Sequence, residues 1–329
     1  MPAARRHRRA PRRAAALAAA AVVATSVVPG ASASAAAAGG VLEWGYLVFY
    51  FPTDDSGYPR PPADVDTGVT ALSVGRLDAV ALKDGRAVVW GDNNFGQTEV
   101  PAAAQSGVSA VSEGWAHTLA LKNGQVIAWG NNWYGQAQVP AEAQSGIVAI
   151  DTSAMHNLAL TSGGRVISWG TRTDVPAEAR SGVTAISAGA DHNLALKNGG
   201  VIAWGNDGKG QTDVPAEARS GVTAISAGYR HSLALKDGKV IAWGDDADGQ
   251  ATVPDEALSD IVAIDAGSTF NMAIKSNGDP VGWGSNDVGE RDPSSGGPRN
   301  VNGACGPLLA VSAGDRIGMV LKADPGKAC

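Results

Sequence analysis

Seven Trp-Gly pairs recur along the chain, at Trp44, Trp90, Trp129, Trp169, Trp204, Trp243 and Trp283. Their spacings are 46, 39, 40, 35, 39 and 40 residues. A period near 40 marks a solenoid or a propeller, in which each unit buries its core against its neighbours. The clearest copy is VTAISAGADHNLALKNGGVIAWGNDGKGQTDVPAEARSG, from Val183 to Gly221.

Each copy reads as four short strands: VTAISAG, HNLALK, VIAWG and TDVP. The runs are rich in Val, Ile and Leu and are bounded by Gly, Asn, Asp and Pro. The middle strands are apolar on both faces, as in Leu194-Ala195-Leu196, so the sheet needs neighbours on both sides. Lys-Asn-Gly-Gly and Lys-Asp-Gly are hairpin signals, because Gly tolerates positive φ. The recurring Trp reads as core, since burying one removes roughly 150–250 Å² from water.

The two halves of the repeat are out of phase. The His-x-Leu-Ala-Leu-Lys half starts near Val69, Val108, Ile147, Val183, Val222, Ile261 and Leu308. The chain opens on an orphan third strand, Val41–Trp44, and closes on orphan first and second strands, Leu308–Lys322. In a ring the two ends complete one unit and leave no open sheet edge. The expectation is an all-β, seven-bladed β-propeller with four-stranded blades, closed by the N-terminal strand pairing with the C-terminal strands.

The first 35 residues read as a secretory signal peptide: a basic head at Arg5, Arg6, Arg8, Arg9, Arg12 and Arg13, an apolar run, then small residues for cleavage. Residues 36–329 are then a single domain, with an insertion at 46–62. Without the six leader arginines, 20 basic residues face 32 acidic ones, a charge of -12. That charge repels phosphate backbones and argues against nucleic acid. Cys305 and Cys329 in a secreted chain read as a disulfide, with two free thiols as the alternative.

The phrase SAGxxHxLALKxGxVIAWGxxxxGQ resembles the repeats of the regulator of chromosome condensation superfamily. A nearer resemblance is to the secreted Streptomyces β-lactamase inhibitory proteins of the second type. It is carried by the VPAEAxSGV connection at Val139–Gly146, Val175–Gly182 and Val214–Gly221. The resemblance spans Val41 to Lys322. It implies a secreted, non-enzymatic inhibitor whose partner is a class A β-lactamase. The alternatives are an interaction protein of the cell envelope and a propeller acting on polysaccharides.

An antiparallel meander places the turn before His and the loop after Trp-Gly on one face. These loops differ between repeats, while the opposite hairpins and Pro-Ala-Glu-Ala connections are nearly constant, so specificity belongs to the variable face. Its aromatics gather early: Tyr46, Phe49, Tyr50, Phe51 and Tyr58 in the insertion, then Phe95, Trp115, Trp133 and Tyr134. Later turns carry Asp191, Tyr229 and Arg230. Exposed rings beside charge have the composition of a protein interface. The candidate partner-binding set is Tyr50, Phe95, Trp115, Trp133, Tyr134, Asp191, Tyr229 and Arg230. In the inhibitor family an aromatic commonly precedes the His position; here Leu77, Ala116, Met155, Asp191, Arg230, Thr269 and Arg316 stand there.

His117, His156, His192 and His231 share one repeat position, which Asp78, Phe270 and Ile317 fill elsewhere. That tolerance reads as structural rather than metal-binding. Asp246-Ala247-Asp248-Gly249 opens like a calcium loop, but no Glu stands at its twelfth position. No cofactor, metal or catalytic set is expected. The reading is a monomer that binds protein and neither membrane nor nucleic acid.

Overall fold

The computed structural model describes residues 40–45, 61–76, 78–171, 173–285, 308–315 and 317–322. The leader, Tyr50 with the rest of 46–60, Cys305 and Cys329 lie outside the described residues.

The strands are β1 (Gly40–Gly45), β2 (Val69–Val74), β3 (Asp78–Lys83), β4 (Arg86–Gly91), β5 (Val108–Glu113), β6 (His117–Lys122) and β7 (Gln125–Gly130). Next come β8 (Ile147–Thr152), β9 (His156–Thr161), β10 (Val166–Gly170), β11 (Val183–Ala188), β12 (His192–Lys197) and β13 (Gly200–Gly205). The last are β14 (Val222–Ala227), β15 (His231–Lys236), β16 (Lys239–Gly244), β17 (Ile261–Ala266), β18 (Phe270–Lys275), β19 (Pro280–Gly284), β20 (Leu308–Ala313) and β21 (Ile317–Lys322). They form seven three-stranded antiparallel sheets among the described residues. Six are consecutive meanders; the seventh is β1-β21-β20, with Gly40 opposite Lys322 and Gly45 opposite Ile317. The two ends of the chain therefore share one sheet, as the offset of the half-repeats requires.

The first strands meet in cyclic order, β2 with β5, β8, β11, β14, β17 and β20, and β20 again with β2. This is a β-propeller. Hydrogen bonds run around the same circle. The fifth residue of each first strand accepts the N–H of the sixth residue in the next sheet. The acceptors are Ser73, Ser112, Asp151, Ser187, Ser226, Asp265 and Ser312, and the donors are Glu113, Thr152, Ala188, Ala227, Ala266, Ala313 and Val74, at 2.7–3.1 Å. The bond from Val74 N–H to Ser312 Oγ closes the circle. Short side chains suit this position: they reach one sheet across and leave no buried donor unpaired.

The apolar core lies between sheets. Leu194, Leu196 and Val201 of one sheet pack with Val222, Ile225, Ala234 and Trp243 of the next. Five of the Trp-Gly indoles, Trp90, Trp129, Trp169, Trp243 and Trp283, are buried; Trp204 is only half-buried.

Among the described residues the expected fourth strand does not form. In Thr212–Pro215 the amides are spent locally: Thr212 N–H on Asp207 Oδ1, Asp213 N–H on the Gly210 carbonyl and Val214 N–H on the Thr212 carbonyl. Pro215 has no donor, so nothing remains for a ladder. A short 3-10 helix follows, such as Ala216–Arg219, and its buried Ala218 plugs the floor of the core.

Candidate functional site

Two features of the repeat build the variable face. The first is the turn after Trp-Gly. In the turn after β7, Asn131 Oδ1 accepts the Trp133 N–H at 2.9 Å and Gln136 Nε2 at 3.1 Å. Gln136 Oε1 accepts the Tyr134 N–H at 2.8 Å. Gly135 takes φ 78°, the left-handed conformation such a turn demands. The buried Gln136 thus ties down the two residues whose side chains face water.

The Gln main chain is also used. Its carbonyl accepts two donors from the following sheet. Gln136 O takes Trp169 Nε1 at 2.9 Å and Asn157 Nδ2 at 2.8 Å. Gln211 O takes Trp243 Nε1 and the Ser232 hydroxyl, both at 2.9 Å. Gln250 O takes Trp283 Nε1 at 3.1 Å and Asn271 Nδ2 at 2.8 Å. Gln97 O takes Trp129 Nε1 at 2.7 Å.

The second feature is the turn between first and second strands, held by the histidines. His117 Nε2 lies 2.8 Å from Asn157 Oδ1, and His231 Nε2 lies 2.6 Å from Asn271 Oδ1. Each Asn already donates its amide to a Gln carbonyl, so its oxygen accepts and the His Nε2–H donates. Burial lowers His117 and His231 to about 4 and His192 to about 3, so the rings are neutral at ordinary pH. A Cβ at Gly189 would lie 2.6 Å from both His192 Cε1 and the Gly228 carbonyl, which explains the Gly at this place before His117, His192 and His231; Ser153 stands there before His156. Among the described residues no group of three or more His, Cys, Asp or Glu could hold a metal.

Two aromatic groups stand on this face. Phe95 and Trp133, from successive turns, meet edge to face at 4.9 Å. Trp133 is 76 % exposed, Tyr134 51 % and Phe95 37 %. Trp115 and Tyr229 form a second group. Their rings stack in parallel, 6.2 Å between centroids and 3° apart, although 114 residues separate them in sequence. Both are half-buried and line the mouth of an axial cavity of about 100 Å³. The Arg76 guanidinium lies 4.9 Å over Trp115 and that of Arg230 lies 5.1 Å over Tyr229. Arg76 also pairs with Asp315 at 3.5 Å. Arg230 is exposed and Asp191 half-buried. The candidate rings therefore fall into a rim pair with Tyr134 beside it and an axial stack.

The polar lining of the axis is not among the residues picked out from the sequence. Asp151 and Asp265 replace Ser in two of the seven ring positions. Burial pushes both up to about 7, against hydrogen bonds from Ala188 N–H to Asp151 and from Ala313 N–H to Asp265. Glu113 is raised well above the usual carboxylate range by burial and then by Asp78 beside it. The signal was present: the fifth position of every first strand is Ser or Asp, and the residue before it is always Leu, Ile or Val.

Two repeats match the regulator of chromosome condensation (RCC1) repeat, at residues 183–211 and 222–250. Among solved structures the chain is similar to Prp20p from Saccharomyces cerevisiae, with a TM-score of 0.70 and 18 % identity over 87 % of this chain and 91 % of that one. It is also similar to human WBSCR16, with a TM-score of 0.62 and 18 % identity over 86 % of this chain and 98 % of that one. The WD40 ectodomain of the Arabidopsis thaliana receptor kinase ACR4 resembles it with a TM-score of 0.56 and 21 % identity, over 74 % and 88 %. No curated protein matches the sequence.

Proposed function

We propose that this protein is a secreted, non-enzymatic propeller of seven blades that binds and occludes a partner protein with the face carrying the Trp-Gly turns. The observation that carries this reading is Trp133: a large ring, mostly in water, on a turn whose backbone is fixed by Asn131 and Gln136. An exposed indole is costly to hydrate, and a rigid one loses little entropy when it docks. Phe95 and Tyr134 widen the patch, and Trp115, Tyr229, Arg76 and Arg230 extend it to the axis. The similar fold of Prp20p, described as binding Gsp1p and histones, supports protein binding as a use of this architecture.

The likeness of the VPAEAxSGV connections to those of secreted inhibitory proteins makes a class A β-lactamase the proposed partner. The test is a titration of the purified mature protein into a class A β-lactamase while hydrolysis is followed. We expect stoichiometric loss of activity. Full activity at micromolar protein rules out that partner.

A further inference from the structure

The turn after β10 departs from the others. Four residues separate Gly170 from Val175, where eight separate Gly130 from Val139 and Gly205 from Val214. The shortening accounts for the one spacing of 35 residues, and it removes the Gly-Gln pair. Asn193 on β12 and Trp204 on β13 occupy the positions that elsewhere bond to that Gln carbonyl. Asn193 is fully buried and its Oδ1 takes His156 Nε2 at 2.7 Å, so its Nδ2 points the other way, as in Asn157 and Asn271. Asn193 Nδ2 and Trp204 Nε1 are both buried and have no partner. The Val175 carbonyl, on the residue that packs in the same cluster as Trp204, accepts Arg180 Nε and Nη2 at 3.3 and 3.2 Å.

We propose that this cradle is a binding site for a main-chain carbonyl of a partner polypeptide. The partner's turn would stand where a Gly-Gln turn stands in the neighbouring sheets. The inference rests on the protein-binding reading of the same face and gives it a fixed point. Two converging donors fit one oxygen that accepts two bonds, and in three other repeats that oxygen is an amide carbonyl at 2.8–3.1 Å. The exposed Trp133 and Tyr134 stand on the preceding full-length turn, on the same face. Two buried donors left unpaired are a standing cost to the free protein, relieved when an acceptor arrives.

The test follows the Trp204 indole N–H by ¹⁵N NMR in the full-length protein, with its peak assigned by loss in Trp204→Phe. The probe is an acetylated, amidated octapeptide with the sequence of residues 206–213, the turn that fills the equivalent site. In the free protein we expect the Trp204 peak to lie apart from those of Trp169, Trp243 and Trp283. Millimolar peptide should move it towards them in a saturable way. A variant in which residues 171–174 are replaced by that octapeptide sequence should show the shifted peak without peptide and no further response. A Trp204 peak already grouped with the others in the free protein would mean that water or another part of the chain fills the cradle, and would overturn the proposal. So would a peak that ignores the peptide. If Trp133→Ala abolishes partner binding while the peptide leaves Trp204 unmoved, the rim is an interface and the cradle is not part of it. If the peptide moves Trp204 and Trp133→Ala leaves partner binding unchanged, the cradle stands and the rim reading fails.

Discussion

Trp133 and Trp243 show one residue type put to opposite uses. Trp243 is buried between two sheets with its indole N–H on Gln211 O, whereas Trp133 holds its ring in water. Trp243→Ala should cost roughly 3–5 kcal/mol of stability, as a large cavity does. Trp133→Ala should leave the thermal midpoint nearly unchanged and weaken partner binding by about 2 kcal/mol or more. Paired melting curves and binding isotherms check both. Asp151 offers a different test. Its pKa rises from 3.8 unfolded to about 7 in the fold, so the folded protein holds the proton more tightly. Its contribution is complete below pH 3.8 and is lost as pH rises through 7. Serine does the same job at five of the seven ring positions without a charge. The stability of Asp151→Ser relative to the parent should therefore grow by roughly 2–3 kcal/mol between pH 5 and pH 8, at about 1.4 kcal/mol per pKa unit. Denaturant midpoints at the two pH values measure it; a constant difference would mean that Asp151 ionises freely.

At the scale of the element, the sequence was clearest where periodicity repeats a local rule. The three strands of each sheet follow from short apolar runs punctuated by Lys-x-Gly hairpins, and Asn198 and Gly199 take the positive φ those hairpins need. The fourth strand was misread because Thr-Asp-Val-Pro alternates like a strand. The bonds of the Thr212, Asp213 and Val214 N–H groups within the turn show that its amides are already spent. The role of Gly-Gln was equally hidden, since its carbonyl acts on a sheet some 32 residues later. The orphan strand was legible from the phase of the halves, and β1 lies where that phase puts it. A chain starting at residue 61 lacks β1 and exposes the edge of β21. We expect it to melt well below the mature chain and to self-associate through that edge. A melting curve and a light-scattering mass check this, and an unchanged midpoint would contradict closure.

Across the whole molecule, the circle of seven side-chain bonds makes the axis continuous, and the ends of the chain meet in one sheet. That geometry sorts the loops onto two faces. The constant hairpins and 3-10 helices form one; the variable turns form the other. The split was legible from internal comparison of the repeats, because constant loops do constant structural work. The pairing of Trp115 with Tyr229 was not, because rings on sheets far apart in sequence meet only once the circle is closed. The most direct test of the account is amide hydrogen exchange on the protein alone and with its bound partner. We expect protection to gather in the turns at 92–98, 131–137, 206–213 and 245–252 and around Trp115 and Tyr229. Protection confined instead to the Lys-x-Gly hairpins and the 3-10 helices would place the interface on the opposite face and contradict it.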